Sequence, residues 1–295
     1  MSVMLITFGQ ILEIGIKTLK QANIADAERD ANLLLQYMMH EDNKFIFLHR
    51  NDGTDESHAD EYFSLIDRRA AGEPLQYITG SQEFMGHEFE VNESVLIPRQ
   101  DTETVVEFAI AQAGKMKKCG SILDMCCGSG AIAVSMAKAL PKADVTACDC
   151  SAEALETAKR NAAKNGVEKR VDFKKTDMFE MEKRGKITHI KGKFDMIVSN
   201  PPYIPKAVID TLQPEVRDHE PLLALDGGED GLDFYRILAR DACGHMKKNG
   251  MLIMEIGHDQ GEAVVGLLRD MCAYADIEVH KDLAGHDRIV SCALA

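Results

Sequence analysis

From Ser121 to the end of the chain, short apolar runs alternate with stretches of helical period, and that alternation leaves few folds open. Strand-like runs fall at 121–126, 144–149, 170–175, 194–199, 250–256, 276–280 and 287–293, with helical patterns near 129–140, 151–165, 231–247 and 259–272. Strands joined through helices lie parallel, because such a connection is too long for a hairpin and carries the chain back over the sheet. The expectation is a doubly wound α/β sheet of seven strands. In such sheets ligands sit beyond the carboxyl ends of the strands, so the residues just after each strand are the first to read for function.

The preceding region reads differently. Phe8, Ile11, Leu12, Ile14, Ile16 and Leu19 form a helical stripe over 7–21, opened by a possible capping box of Thr7 and Gln10. A second helix is expected from Asp26, a short piece at 45–48 and another helix over 57–71, giving a small helical bundle over 1–71. Between 72 and 98 the pattern turns to short β-like segments, Leu75–Ile78 and Glu88–Val91, punctuated by glycine and proline; this predicts a β-hairpin linker. The second domain is expected over 99–295, starting with a helix near 102–117. The Lys- and Gly-containing segment 181–193 reads as a surface loop without a function.

Two strand ends carry chemistry. The run Phe194-Asp195-Met196-Ile197-Val198-Ser199 leads into Asn200-Pro201-Pro202-Tyr203. Two prolines stop a strand abruptly and hold the exit extended, which yields a rigid polar loop. It presents the Asn200 carboxamide, the Pro201 carbonyl and the Tyr203 ring, an array suited to a planar group bearing NH2; the bland alternative is an ordinary Asn-Pro turn. Upstream, Ile122-Leu123-Asp124-Met125-Cys126-Cys127-Gly128-Ser129-Gly130 is a strand running into a glycine-rich turn, where backbone without Cβ admits a close ligand. It lacks the lysine of a phosphate-binding loop and departs from G-x-G-x-x-G. Asp149 follows the next strand, nineteen residues after Gly130, where a carboxylate can accept both hydroxyls of a ribose. The pairing favours an adenosyl cofactor over a mere tight turn. Asp177 is a candidate for the adenine amino group or, equally, a surface carboxylate.

A glycine turn, a ribose-binding Asp and Asn-Pro-Pro-Tyr together resemble the class I S-adenosylmethionine-dependent methyltransferases that act on planar amino groups. Gly72-Glu73-Pro74-Leu75-Gln76-Tyr77-Ile78-Thr79-Gly80, Leu96-Ile97-Pro98-Arg99, Asp101-Thr102-Glu103, His219-Glu220-Pro221 and Leu225-Asp226-Gly227-Gly228-Glu229-Asp230-Gly231-Leu232 narrow this further. Over almost the whole chain the sequence resembles the release-factor glutamine methyltransferases. The resemblance implies a helical N-terminal substrate-recognition domain, a hairpin linker and a seven-stranded methyltransferase domain. It also implies S-adenosyl-L-methionine as cofactor and, as substrate, the glutamine of the Gly-Gly-Gln motif in peptide chain release factors. The cofactor set it implies is Asp124, Cys126, Cys127, Gly128, Ser129, Gly130, Asp149, Asp177, Met178 and Asn200, with Asn200, Pro201, Pro202 and Tyr203 at the reacting amide. Three positions depart from the family pattern: Cys126 where a glycine is common, Gln100 where a proline is frequent, and Met178 where a tryptophan often stands. Arg99 reads as one half of an ion pair in preference to a residue facing the entering substrate loop, Arg217 and Glu220 as the wall of the acceptor loop, and His219 as a weak candidate base.

Composition bears on the alternatives. A net charge of −14 disfavours broad attraction to a nucleic-acid backbone, so no direct nucleic-acid partner is expected. That counts against the main competitor, an adenine-amino methyltransferase on DNA or RNA; the intact acceptor loop counts against a non-catalytic nucleoside-binding module. The eight cysteines match no zinc framework and read as reduced thiols, and no run of 18 apolar residues or basic leader occurs. A cytoplasmic protein without metal and without membrane contact is expected.

Overall fold

The computed structural model describes residues 6–183 and 186–295, with the backbone alone described for 181–183 and 186–188. The chain divides into two compact units: one is the chain up to Gly80 together with Gln213–His219, the other is Ser81–Leu212 with Glu220–Ala295.

The first unit holds α1 (Phe8–Gln21), α2 (Ala27–Met39), α3 (Asn43–Leu48), α4 (Glu56–Ala70) and α5 (Leu75–Thr79). Its helix starts follow from the sequence. The Gln10 N–H donates to Thr7 Oγ1 at 3.2 Å and the Thr7 N–H to Gln10 Oε1 at 2.9 Å, closing the capping box. Asp42 and Asp55 cap α3 and α4. Ile11, Leu19, Leu34, Leu35 and Ile66 fill the core, where the Tyr62 hydroxyl donates to the Ala31 carbonyl at 3.0 Å. Buried Arg69 meets Asp30 at 2.7 Å and Glu215 at 2.8 Å, two carboxylates that offset the cost of burying a cation. The strand expected at Leu75–Ile78 is a helix instead. Tyr77 and Ile78 donate their N–H groups to Pro74 O at 3.0 and 3.1 Å, and this turns Ile78 into the helical core. Tertiary burial overrides a weak β preference there.

The second unit opens with the hairpin β1 (Ser81–Phe84) and β2 (His87–Glu90), whose turn residues Met85 and Gly86 both have positive φ, as a two-residue hairpin favours. There follow α6 (Gln100–Lys115), β3 (Ser121–Met125), α7 (Ala131–Ala139), β4 (Asp144–Asp149), α8 (Ala152–Lys164), β5 (Val171–Lys175), β6 (Glu180–Lys183), β7 (Lys186–His189) and β8 (Phe194–Ser199). Then come α9 (Lys206–Ile209), α10 (Pro214–Arg217, in the helical unit), α11 (Asp233–His245), β9 (Met246–Glu255), α12 (Gly261–Asp270), β10 (Tyr274–Lys281) and β11 (Asp287–Leu294).

Seven of these strands form one sheet in the order β10-β11-β9-β8-β3-β4-β5, parallel except for β11, which runs antiparallel to both neighbours. Alternate strand residues serve opposite faces. Ile122, Met196 and Val198 pack with Val105, Val134 and Leu155 of α6, α7 and α8, while Leu123, Met125 and Ile197 pack with Tyr235, Leu238 and Val264 of α11 and α12. The sheet is doubly wound, as the alternation implied. The expected loop at 181–193 is corrected over most of its length: β6 and β7 pair antiparallel, Glu180 opposite His189, and the Ile190 N–H donates to Phe179 O at 2.9 Å. Buried Phe179 and Ile190 anchor the base of this ribbon; Arg184 and Gly185, within the same expectation, lie outside the described residues.

Candidate active site

A cavity of about 350 Å³ opens at the carboxyl ends of β3, β4, β5 and β8, and two strand-end segments contribute to its wall. The first is the glycine turn after β3. Cys126 and Gly128 take φ of +64° and +52° there. A Cβ on Gly128 would meet nothing within 4 Å, so the turn leaves a bare stretch of backbone beside the cavity. Asp149, at the end of β4, is tied to this turn: its Oδ2 accepts the Gly128 N–H at 2.8 Å and its Oδ1 the Ser151 N–H at 2.9 Å. Burial raises the Asp149 pKa, and the Ser151 and Gly128 donors work against that rise. Met178 lines the cavity with its Sδ 3.7 Å from Cys126 Sγ.

The second segment is the Asn200–Tyr203 loop after β8, expected from the sequence to hold the acceptor. Ser199 donates its hydroxyl to Met125 O at 2.8 Å, which fixes the strand end beside β3. Asn200 lies on the cavity wall and its Nδ2 donates to Thr102 Oγ1 of α6 at 3.1 Å. Beyond the prolines the chain is clamped from behind. Ile204 N–H donates to Leu225 O at 3.0 Å, Gly227 N–H to Ile204 O at 2.9 Å and Lys206 N–H to Gly228 O at 2.9 Å. The Gln260 carboxamide donates to Tyr203 O at 2.9 Å. A Cβ on Gly227 would fall 2.7 Å from Tyr203 Cα, which is why the Leu225–Leu232 motif needs glycine at that point.

Under the loop lies Glu255, the last residue of β9, fully buried, with Tyr203 Oη 3.4 Å from its Oε1. Burial lifts its pKa to about 7. The Thr102 hydroxyl, the Arg288 guanidinium and the Tyr203 hydroxyl favour the charged form, and Asp101 opposes it. Burial also raises the pKa of Tyr203.

Of the residues singled out from sequence, Cys126, Cys127, Gly128, Ser129, Asp149, Asp177, Met178, Asn200 and Pro202 line the one cavity. Asp124, Gly130, Pro201 and Tyr203 do not. Asp124 is fully buried behind the turn, where its Oδ2 accepts the Ala133 N–H at 2.9 Å and so fixes the first turn of α7; burial holds its pKa well above the usual carboxylate range. Gly130 caps α7 and donates its N–H to Cys127 O at 2.7 Å. The Tyr203 ring is partly buried and packs against the core cluster that holds Leu123, Tyr235 and Val264. Arg99 pairs with Glu220, while Arg217 pairs with Asp218 and, with His219, belongs to the helical unit. Thr102, Phe234 and Glu255 were missed. Thr102 stands inside the motif Asp101-Thr102-Glu103, and Glu255 was visible as a carboxylate ending the apolar run Met251-Leu252-Ile253-Met254.

The strand order, with an antiparallel strand next to last and a glycine turn and an Asp at adjacent parallel strand ends, defines an S-adenosylmethionine-dependent methyltransferase domain. The hMettl16 catalytic domain has the same fold, with a TM-score of 0.53 at 14% identity over 78% of this chain and 81% of that one. Residues 108–215 match the methyltransferase small domain, and residues 10–80 match the PrmC N-terminal domain. The chain is 48% identical over 240 residues to the release factor glutamine methyltransferase of Moorella thermoacetica, covering 80% of each protein. It is 37% identical over 284 residues to that of Koribacter versatilis, covering 96% of this chain and 97% of the other. It belongs to the release factor glutamine methyltransferase family. Among the described residues no helix is long and apolar enough to cross a membrane, and all eight cysteines are free.

The cavity fits the cofactor that such a fold uses. Bare backbone at Gly128 and a half-buried carboxylate at Asp149, held in place by the Gly128 and Ser151 N–H groups, suit a ribose, and the cavity wall is largely apolar.

Proposed function

We propose that this chain methylates the side-chain amide nitrogen of the glutamine in the Gly-Gly-Gln motif of peptide chain release factors, with S-adenosyl-L-methionine as donor. The observation that carries the reading is that Asn200 of the acceptor loop and the Gly128–Asp149 pair share one cavity. Asp149 would hold the ribose hydroxyls, Cys127, Gly128 and Ser129 would lie along the ligand with their backbone, and Asp177 and Met178 would flank the base. When bound, S-adenosylmethionine supplies a methyl group on a sulfonium, an electrophile that needs no further activation.

The chain's work is on the acceptor. A carboxamide nitrogen is a poor nucleophile because its lone pair is delocalised into its carbonyl, so orientation has to supply much of the rate. Asn200 Oδ1, on the cavity wall, accepts an N–H of the substrate amide, aims its nitrogen and stabilises the positive charge that develops there; Pro201, which does not line the cavity, has the part of stiffening the loop. One N–H is replaced by N–CH3 and its proton is released. The prolines keep the loop from relaxing. In this reading the helical unit recognises the whole protein substrate, so a short Gly-Gly-Gln peptide should show a much higher KM than the intact factor.

Mass spectrometry of a release factor after incubation with the protein and isotopically labelled S-adenosylmethionine tests the proposal. A single label on the glutamine of the Gly-Gly-Gln peptide is expected. An unmodified factor, or label on adenine when nucleic acid is offered instead, would overturn it.

A further inference from the structure

Asp149 and the bare backbone at Gly128 suit the ribose of S-adenosylmethionine, but the sulfur of that molecule bears a further arm, an amino-acid chain that ends in an ammonium and a carboxylate. The carboxylate is the ligand's only anion.

Much of the cavity wall is unsuited to an anion. Asp149, Glu153 and Asp177 all line it. Three carboxylates favour the sulfonium and ammonium cations and repel a fourth carboxylate. Among the described residues on the wall, Arg99 is the only basic side chain. The ligand thus offers one anion and the wall one cation.

Local structure holds that cation in place. Arg99 is the N-cap residue of α6, in extended backbone and with no side-chain cap, so the positive end of the helix lies at the same point. Thr102, one turn further along α6, meets Asn200 at 3.1 Å, which puts the start of the helix beside the acceptor loop. The Arg99 guanidinium donates through Nη2 to Glu220 Oε1. The Glu220 side chain is 2% exposed, whereas that of Arg99 keeps 40%. Glu220 does not line the cavity, so the wall presents the cation and not its counterion. A guanidinium has five N–H donors in a rigid fork, and a single contact to Glu220 orients the fork without using it up. A carboxylate is the group that such a fork matches, two parallel bonds at a time.

Resting on the reading of S-adenosylmethionine as donor, we propose that Arg99, oriented by Glu220, binds the carboxylate of the cofactor's amino-acid arm. Arg99 thereby distinguishes S-adenosylmethionine and its demethylated product from nucleosides that lack the group.

Calorimetry with two nucleosides tests this: S-adenosylhomocysteine and its decarboxylated analogue S-adenosyl-3-thiopropylamine, which differ only in the carboxylate. Wild type should bind the first about 10- to 100-fold more tightly. In Arg99→Met that preference should shrink to within about twofold, through loss of affinity for S-adenosylhomocysteine alone. Arg99→Lys should keep part of it, as a charge without the fork. Arg99→Met removes the cation that buried Glu220 meets; should that variant fail to fold, Arg99→Met combined with Glu220→Gln removes both charges and the same ratio is read. A preference that survives in either variant, or equal binding of the two nucleosides by wild type, would overturn the proposal. So would an Arg99→Met protein with wild-type affinity for S-adenosylhomocysteine and a raised KM for release factor alone, the result expected of a residue that faces the protein substrate. Wild type that binds neither nucleoside would defeat the cofactor reading itself, and the proposal with it.

Discussion

The glycine turn Cys126–Gly130 and the acceptor loop Asn200–Tyr203 both stand just past neighbouring parallel strands, β3 and β8, yet they are held by different means. The turn is held through its own backbone N–H groups, with one side chain from a neighbouring strand end, Asp149. Its Gly128 N–H meets Asp149 and its Gly130 N–H meets Cys127 O, and positive φ at Cys126 and Gly128 sets its path. The loop depends on side chains and segments from elsewhere: Thr102 of α6, Gln260 at the start of α12, Glu255 at the end of β9 and the backbone of 225–228. A site that binds a ligand through its fixed framework can be made locally. A site that must orient one substrate nitrogen needs contacts from several directions, and these cost stability where they bury a charge.

That contrast implies separable failures. Asn200→Ala should cut kcat by about 10²–10³, since it removes one preorganised acceptor, and should leave cofactor affinity almost unchanged by calorimetry. A parallel loss of cofactor binding would mean that the two halves are not independent. The next largest effect concerns Glu255, whose pKa in the folded chain is about 7 against an ordinary 4.5. The folded state holds that proton more tightly than the unfolded one. The protein should therefore lose up to about 3 kcal/mol of stability as pH rises from the ordinary value through the folded value. Denaturant titrations of wild type and Glu255→Gln, compared across that range, isolate the term; equal slopes with pH would remove the buried charge from the account. Asp149→Ala should weaken cofactor binding by about 1.5–3 kcal/mol for each charged hydrogen bond lost before water compensates, with kcat at saturating cofactor far less affected. Gly227→Ala is the mildest. Its new Cβ displaces the backbone at Tyr203 and should cost roughly 1–3 kcal/mol of stability, read by thermal unfolding, together with a lower kcat and an unchanged cofactor affinity.

Local pattern was enough for the scaffold and for the first half of the site. Apolar periodicity identified the seven strands of the sheet and their covering helices, and chain continuity through helices made most of them parallel. Proline after Asn200 and glycine at 128 marked the two strand ends that meet at the cavity, because both residue types restrict or release the backbone wherever they occur. Tertiary structure alone decided the remainder. It turned Leu75–Thr79 into a helix by burying Ile78, paired Glu180–Lys183 with Lys186–His189, and joined Gln213–His219 to the helical unit through Glu215 and Arg69. It also moved Asp124 and Tyr203 off the cavity wall and brought Thr102 to Asn200 across 98 residues. Burial, protonation and the flip of a carboxamide are properties of what surrounds a group in space, and a one-dimensional pattern reports only what surrounds it along the chain.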